Sequence, residues 1–242
     1  LIAIRQACDL LNDGRADLML AGAVNRADDL FIHVGFSALQ ALSPTGQTRP
    51  FHKEADGLLP AEGAGIIALK RLETALKDGD RILGVIRGAG WSNDGRGRGF
   101  LAPASSGQVA AMQQAYRQSG LDPNSIGLIE CHATGTKIGD ATELNSMRQV
   151  FSAPIPIGSL KSNMGHLITA AGVAGVLKVL GAFEARLRPQ TLHVDEPNPV
   201  LAQGPFQVLR ESRSWDGPMR AAVSAFGFGG NNAHIIIDAE PP

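Results

Sequence analysis

The chain has 242 residues, 44% of them hydrophobic, which suffices for a sizeable core in one large domain or two small ones. Its formal net charge is -1 with Lys and Arg scattered, so there is no basic footprint for nucleic acid, and two widely spaced cysteines, Cys8 and Cys131, do not make a secreted disulfide framework. Nothing resembles a signal peptide or lipidation signal, so a cytoplasmic protein with neither nucleic-acid nor membrane partners is expected.

Leu1, Ile4, Cys8 and Leu11 recur at helical spacing with no capping residue before them, and Gly14 is a natural stop. The sequence thus reads as starting inside a helix, with further chain expected upstream. Asp17 to Val24 reads as a buried strand, Thr45-Gly46-Gln47 and Arg49-Pro50 as loops, and Gly63 to Leu72 as a second buried strand. The polar break Lys77-Asp78-Gly79-Asp80 sets an expected boundary between residues 1–79 and 80–242.

The second part restarts with a strand over Ile82 to Gly88 and a glycine-rich loop over Asn93 to Gly99, in which Arg96-Gly97-Arg98 reads as solvated. Ser105 or Ser106 is expected to cap a helix carrying Val109, Met112 and Tyr116 and stopped by Gly120. Ile126 to Cys131 reads as a strand, Glu143 to Phe151 as a helix, and Ile155 to Gly158 as an extended piece. The apolar run Leu167 to Phe183 is broken by Thr169 and Lys178; a spanning helix needs roughly 18 nearly uncharged residues, so a tightly packed core helix over Leu167 to Ala185 is expected. Val223 to Phe226 and His234 to Asp238 read as a closing pair of strands. Strands and helices alternate, which makes the class α/β.

Three segments place polar groups at the end of an apolar element beside glycines. In Glu130-Cys131-His132-Ala133-Thr134-Gly135-Thr136, followed by Gly139-Asp140, a strand delivers His132 to a loop with two hydroxyls. In Lys161-Ser162-Asn163-Met164-Gly165-His166 the histidine opens a helix, whose dipole favours neutral imidazole, a donor suited to a developing enolate or oxyanion. In Phe226-Gly227-Phe228-Gly229-Gly230-Asn231-Asn232 the glycines permit close backbone approach, but no helix follows, so this is not a dinucleotide fingerprint. On pattern alone each segment could equally be a satisfied core histidine or a plain turn. The histidines show no metal-ligand spacing, and Cys131 and His132, adjacent on a strand, point to opposite faces and would not pair as a hydrolase dyad.

Taken in order, these motifs resemble the β-ketoacyl synthase family of the thiolase superfamily: a histidine in an HGTGT-like segment, then KSNxGH, then GFGG-x-N. Asp17 to Asn25, Arg49-Pro50-Phe51, and Ala55-Asp56-Gly57 through Glu62-Gly63-Ala64-Gly65 also look like family segments, and Ala170 to Lys178 looks like modular polyketide or polyunsaturated-fatty-acid synthases. The resemblance implies a thiolase-like layered α-β-α-β-α fold, with residues 1–79 as the tail of the first half and 80–242 as the second. It implies a Cys-His-His triad in which His132 and His166 are the histidines and Lys161 supports the second histidine's loop. Phe228, with Gly229, would supply an oxyanion donor and a gate. Thr134, Thr136, Asn163 and Leu58 would contact the pantetheine arm or acyl chain.

The implied reaction is decarboxylative condensation of an acyl thioester with malonyl carrier protein. It needs no metal or dissociable cofactor, the phosphopantetheine being carried by the acyl carrier protein partner, and the family forms homodimers. Leu1 matches the leucine of an ACSSSL-like segment, so the nucleophilic cysteine is expected upstream, and neither Cys8 nor Cys131 matches it. The piece alone is therefore expected to be inactive and marginally stable. Leu58, Ala61, Ala133 and Asn231 depart from common family residues. A decarboxylating or chain-length-factor-like homologue without cysteine, and a non-catalytic carrier-protein-binding piece, are the alternatives.

Overall fold

Strands covered on both faces read as unbroken apolar runs, and Ala221-Ala222-Val223 and Ile235-Ile236-Ile237 are such runs. In the computed structural model, which describes residues 1–27, 30–95 and 103–241, they lie in the middle of a sheet. The first third of the chain forms α1 (Ile2–Asn12), β1 (Met19–Asn25), α2 (Leu30–Ala38), β2 (Gly63–Leu69) and α3 (Leu72–Asp78). Then come β3 (Val85–Asn93), α4 (Ser105–Ser119), β4 (Leu128–Glu130), α5 (Lys137–Met147), β5 (Ile155–Gly158), the one-turn α6 (Lys161–Met164) and α7 (Ala171–Ala185). The last part holds the short β6 (Leu187–Arg188), β7 (Phe206–Val208) and β8 (Arg213–Ser214), then β9 (Arg220–Phe226) and β10 (Asn231–Asp238).

The central sheet has the order β3-β10-β9-β4-β5-β7. The first three strands are antiparallel, and β4 runs parallel to both β9 and β5. Successive residues point to opposite faces. Ile129, Ala222 and Ile236 pack with Met112 and Tyr116 of α4 and Leu144 and Met147 of α5. Leu128, Val223, Ile235 and Ile237 pack with Ile4 and Ala7 of α1 and Val176, Val179 and Phe183 of α7. On its far side α7 meets β2, which pairs antiparallel with β1. The layers therefore run helices, six-stranded sheet, helices, two-stranded sheet.

The run Ile168–Ala185 is long and apolar enough by composition to cross a membrane, but here it lies between two sheets with Val173, Val176, Val179 and Phe183 buried. The helix proper starts at Ala171, after a single 3-10 turn over Ile168–Ala170. β1 and β2 are half-buried rather than buried: Leu20, Val24 and Ile66 point away from α7 and are 69%, 69% and 66% exposed. Apolar residues on both faces make these strands read as buried, while one face alone is covered among the described residues.

Other expectations shift by a few residues for visible reasons. The first strand of the second part runs through Gly88 and Gly90 instead of ending there, because α4 lies directly on it: a Cβ at Gly90 would sit 1.9 Å from the Ala111 carbonyl oxygen. Ser105 is the first residue of α4, not its cap; the Ala104 N–H donates instead to Asp94 Oδ2 at 3.0 Å. Helix α5 spans Lys137–Met147 rather than Glu143 to Phe151, because Gly139 marks a close approach inside the first turn, where a Cβ would meet Thr136 Oγ1 at 2.4 Å. The loop expected around Arg96-Gly97-Arg98 lies outside the described residues.

Candidate active site

His132 follows the C-terminal end of β4, held between parallel neighbours, so its loop opens on the edge where strand ends converge. The loop is fixed by two carboxylates of α5. Glu143 accepts the N–H groups of His132 (2.8 Å) and Ala133 (2.7 Å). Asp140 accepts those of Thr134 (3.0 Å) and Gly135 (3.2 Å) on one oxygen and that of Phe51 (2.8 Å) on the other. Burial pushes Asp140 up to about 6 and Glu143 up to about 7, against the pull of these donors and of Lys161.

His166 is held differently. Its N–H donates to the Leu59 carbonyl at 2.7 Å, and its own carbonyl accepts the Ala61 N–H at 2.9 Å. Leu59 and Ala61 belong to a strap over residues 56–61 that also bonds the His132 loop, through Gly57 N–H to the Gly135 carbonyl at 2.9 Å and a bridge between Asp56 and Thr136. His166 Nδ1 accepts the Ile168 N–H at 3.0 Å, so the imidazole proton sits on Nε2. The two rings stand edge to face with centroids 5.5 Å apart.

Burial, then the charge of Lys161, lowers His166 to about 3, and burial, Lys161 and His166 hold His132 well below its ordinary range. Both rings are therefore neutral. The expected helix-dipole cause is corrected here, since His166 precedes α7 by a 3-10 turn and burial leads. Lys161 opens α6 and is itself buried; desolvation lowers its pKa while Glu130, Glu143, Cys131 and Asp140 pull it back up.

The remaining candidates divide. Thr134 and Thr136 face each other with Oγ atoms 3.1 Å apart, beside the histidine loop. Asn163 is exposed and its Oδ1 accepts from Ser162. The glycine turn joins the site through Phe226, whose ring lies 6.2 Å from that of His132. Phe228 is 47% exposed and rests on Phe36 of α2 at 5.7 Å, with Gly229 at φ +77° in the turn behind it. Leu58 is 2% exposed, and its backbone bonds to Ala41 and Ser43. Asp140, Glu143 and the backbone pairing of the strap over residues 56–61 were given no role by sequence reasoning. The signal available was the spacing of two acids after the His132 loop.

Neither cysteine is poised as a nucleophile. Cys131 turns to the α5 face, 3.8 Å from Met147 Sδ, and burial raises its thiol well above the ordinary range. Cys8 is pushed up to about 11 by burial and then by Asp9. Among the described residues His52, Asp195 and Glu196 cluster closely enough to suggest a metal site. However, His52 Nδ1 accepts the Glu54 N–H, which leaves its proton on Nε2 facing Asp195 at 3.4 Å, and Lys53 pairs with Glu196. The set is a hydrogen-bonded ion cluster.

With this geometry in hand, the chain matches three family descriptions end to end: beta-ketoacyl synthase, N-terminal domain, over residues 1–75; beta-ketoacyl synthase, C-terminal domain, over 83–195; and ketoacyl-synthetase C-terminal extension over 197–242. It is 38% identical over 258 residues to the PKS-NRPS hybrid synthetase ATPKS of Aspergillus niger, covering 100% of this chain and 14% of that protein. The ketosynthase from module 6 of the bacillaene synthase of Bacillus subtilis 168 superposes with a TM-score of 0.96 at 37% identity, covering 100% of this chain and 46% of that one. A PfaC keto synthase-chain length factor structure follows at 0.94 and 42% identity, covering 99% and 26%. The chain thus spans less than half the length of each of these relatives. Its layered α/β architecture is the thiolase-like fold of these ketosynthases.

Proposed function

Because the chain belongs to the β-ketoacyl synthase family, as a ketosynthase domain of the polyketide synthase kind, we propose that it supplies the histidine half of a site for decarboxylative Claisen condensation. The observation that carries this reading is the pair of neutral imidazoles, His166 buried and His132 half-buried, standing edge to face at 5.5 Å, with His166 presenting Nε2–H. The nucleophilic cysteine lies outside residues 1–242, a placement supported by the raised thiols of the half-buried Cys8 and the buried Cys131.

In this reading the acyl chain sits as a thioester on that cysteine, and the malonyl group arrives on the phosphopantetheine arm of a carrier protein, past Thr134, Thr136 and Asn163. The malonyl carboxylate leaves as carbon dioxide, and the electron pair of the broken C–C bond becomes an enolate. Its oxygen takes hydrogen bonds from His166 Nε2–H and from His132. The enolate carbon attacks the acyl carbonyl, whose developing oxyanion takes the Phe228 N–H, a group that donates to no other among the described residues. Collapse breaks the C–S bond, returns the pair to the cysteine thiolate, and leaves a β-ketoacyl chain on the carrier protein. No metal enters, and the working unit is a homodimer of the longer polypeptide.

The likeness to a keto synthase-chain length factor structure raises a second reading, a decarboxylating or chain-length-setting partner without condensation. The presence of His132, Lys161 and His166 together supports a catalytic site over an inert partner, and an acyl-loading cysteine is what separates condensation from decarboxylation alone. The test loads the full-length polypeptide with an acyl thioester and maps the modified peptide by mass spectrometry before adding malonyl carrier protein. The expected result is an acyl group on a cysteine outside residues 1–242 and a β-ketoacyl product after addition. Acylation of Cys8 or Cys131, or carbon dioxide without product, overturns the reading.

A further inference from the structure

Glu130 and Lys178 have no part in the steps above, yet Glu130 is buried and only 8% of the Lys178 side chain is exposed. Glu130 is 3% exposed, ends β4 two residues before His132, and turns toward the face of the sheet where Leu128, Val223, Val176 and Val179 pack. Lys178 is the lone charged residue of α7 between Ala171 and Phe183, the same residue that interrupts the apolar run in the sequence. Buried charge is costly unless it is paired and hydrogen-bonded. Here Lys178 Nζ meets Glu130 Oε2 at 2.5 Å, and Glu130 Oε1 accepts the Leu160 N–H at 2.6 Å. Leu160 is the residue before Lys161 and caps α6.

Two glycines make room for the pair. A Cβ at Gly175 would stand 3.1 Å from Glu130 Cγ, and one at Gly158, the register partner of Glu130 on β5, would stand 3.5 Å from Lys178 Nζ and 2.7 Å from Thr191 Oγ1. Two well-packed apolar residues would stabilise this layer at least as well as an ion pair, so stability alone does not account for the charges. The second oxygen of Glu130 does: it reaches across from the strand that delivers His132 to the turn that delivers Lys161 and His166.

We propose that the Glu130–Lys178 pair is a positioning node of the condensing site, tying the α6 turn to β4 and α7 and so holding the Lys161 ammonium against the two histidines; this rests on the functional reading above. The groups around Lys161 are Glu130, Cys131 and His132 from β4 and its loop, Asp140 and Glu143 from α5, and His166 beyond α6, with Lys178 of α7 behind Glu130.

The test compares full-length wild type with E130Q, K178M and the double variant. Carbon dioxide release from malonyl carrier protein is measured across pH, alongside the pH dependence of Lys161 labelling by an amine-reactive reagent. Each single variant is expected to lower kcat by about 10-fold to 100-fold, with KM for malonyl carrier protein unchanged within about two-fold. E130Q is also expected to bring both the alkaline limb and Lys161 labelling to lower pH, because the carboxylate no longer favours the ammonium. The double variant, in which both charges leave together, recovers most of the kcat lost by K178M. Wild-type kcat and labelling in the single variants overturn the node, as do losses that merely follow melting temperature with no recovery in the double variant. If wild type itself releases no carbon dioxide, the functional reading falls and the labelling profiles alone decide the node: an E130Q profile equal to wild type overturns it, and one displaced to lower pH supports it.

Discussion

The loop carrying His132 hangs mainly on side chains, whereas the turn carrying His166 hangs mainly on backbone. In the first, Asp140 and Glu143 of one helix take up five N–H groups between them. In the second, His166 bonds through its own N–H and carbonyl to Leu59 and Ala61, which lie far earlier in the chain. The difference teaches that one histidine is encoded locally, by acids a few residues on, and the other by a register between distant segments. The first should therefore fail when a carboxylate is removed, and the second when a backbone conformation is denied.

The largest effect is expected from Asp140→Leu. It strands the N–H groups of Phe51, Thr134 and Gly135 in a dry site, and at about 1–3 kcal/mol for each unsatisfied donor the loss is at least about 3 kcal/mol. Urea unfolding measures it, and a loss below about 1 kcal/mol would break the comparison, since that is within the range of an ordinary surface change. Next comes Gly165→Ala on the other side. Gly165 has φ +74° and ψ -168°, and a Cβ there would lie 2.8 Å from the Leu59 carbonyl oxygen. Strain of about 1–3 kcal/mol is expected, seen as a lower melting temperature. An alanine tolerated without loss would mean that the backbone of this turn is not what holds His166.

Glu143→Gln is milder and carries a pH signature. The variant turns one acceptor of the His132 and Ala133 N–H groups into a donor, costing about 1–3 kcal/mol near pH 5. Burial raises Glu143 to about 7, above its ordinary carboxylate value, so its stabilising contribution is full at low pH and is lost as pH rises through about 7. The stability gap between wild type and variant should accordingly narrow from pH 5 to pH 8, and a gap that widens contradicts the assignment. The smallest effect is a constancy. With His166 lowered to about 3, its imidazole nitrogen resonances should not move between pH 7 and pH 5; a midpoint near 6.5 would show a solvated ring. The sign for stability follows, because a histidine with a depressed pKa stabilises the fold fully above about 6.5 and loses that contribution as pH falls toward 3.

The same contrast explains what the sequence could show. His132, Lys161 and His166 were legible because each ends or follows an apolar element beside glycines, and β5, β9 and β10 were legible from short apolar runs between turn signals. The role of Asp140 and Glu143 was not, because their spacing matters only if α5 starts at Lys137, and Gly139 disguises that start. The pairing of the strap from Asp56 to Ala61 with both histidine segments was invisible for a different reason: backbone pairing across such a separation leaves no mark on residue type. Leu20, Val24 and Ile66 misled in the opposite direction, since apolar side chains on the uncovered face of β1 and β2 carry the same signal as a core.

If two neutral histidines jointly stabilise an enolate, decarboxylation should need both of them. The most direct measurement is release of labelled carbon dioxide from malonyl carrier protein by the full-length polypeptide carrying His132→Ala or His166→Ala. A loss of about 100-fold or more in each variant, with the fold intact by circular dichroism, is the predicted result. Release at the wild-type rate by either variant would contradict it.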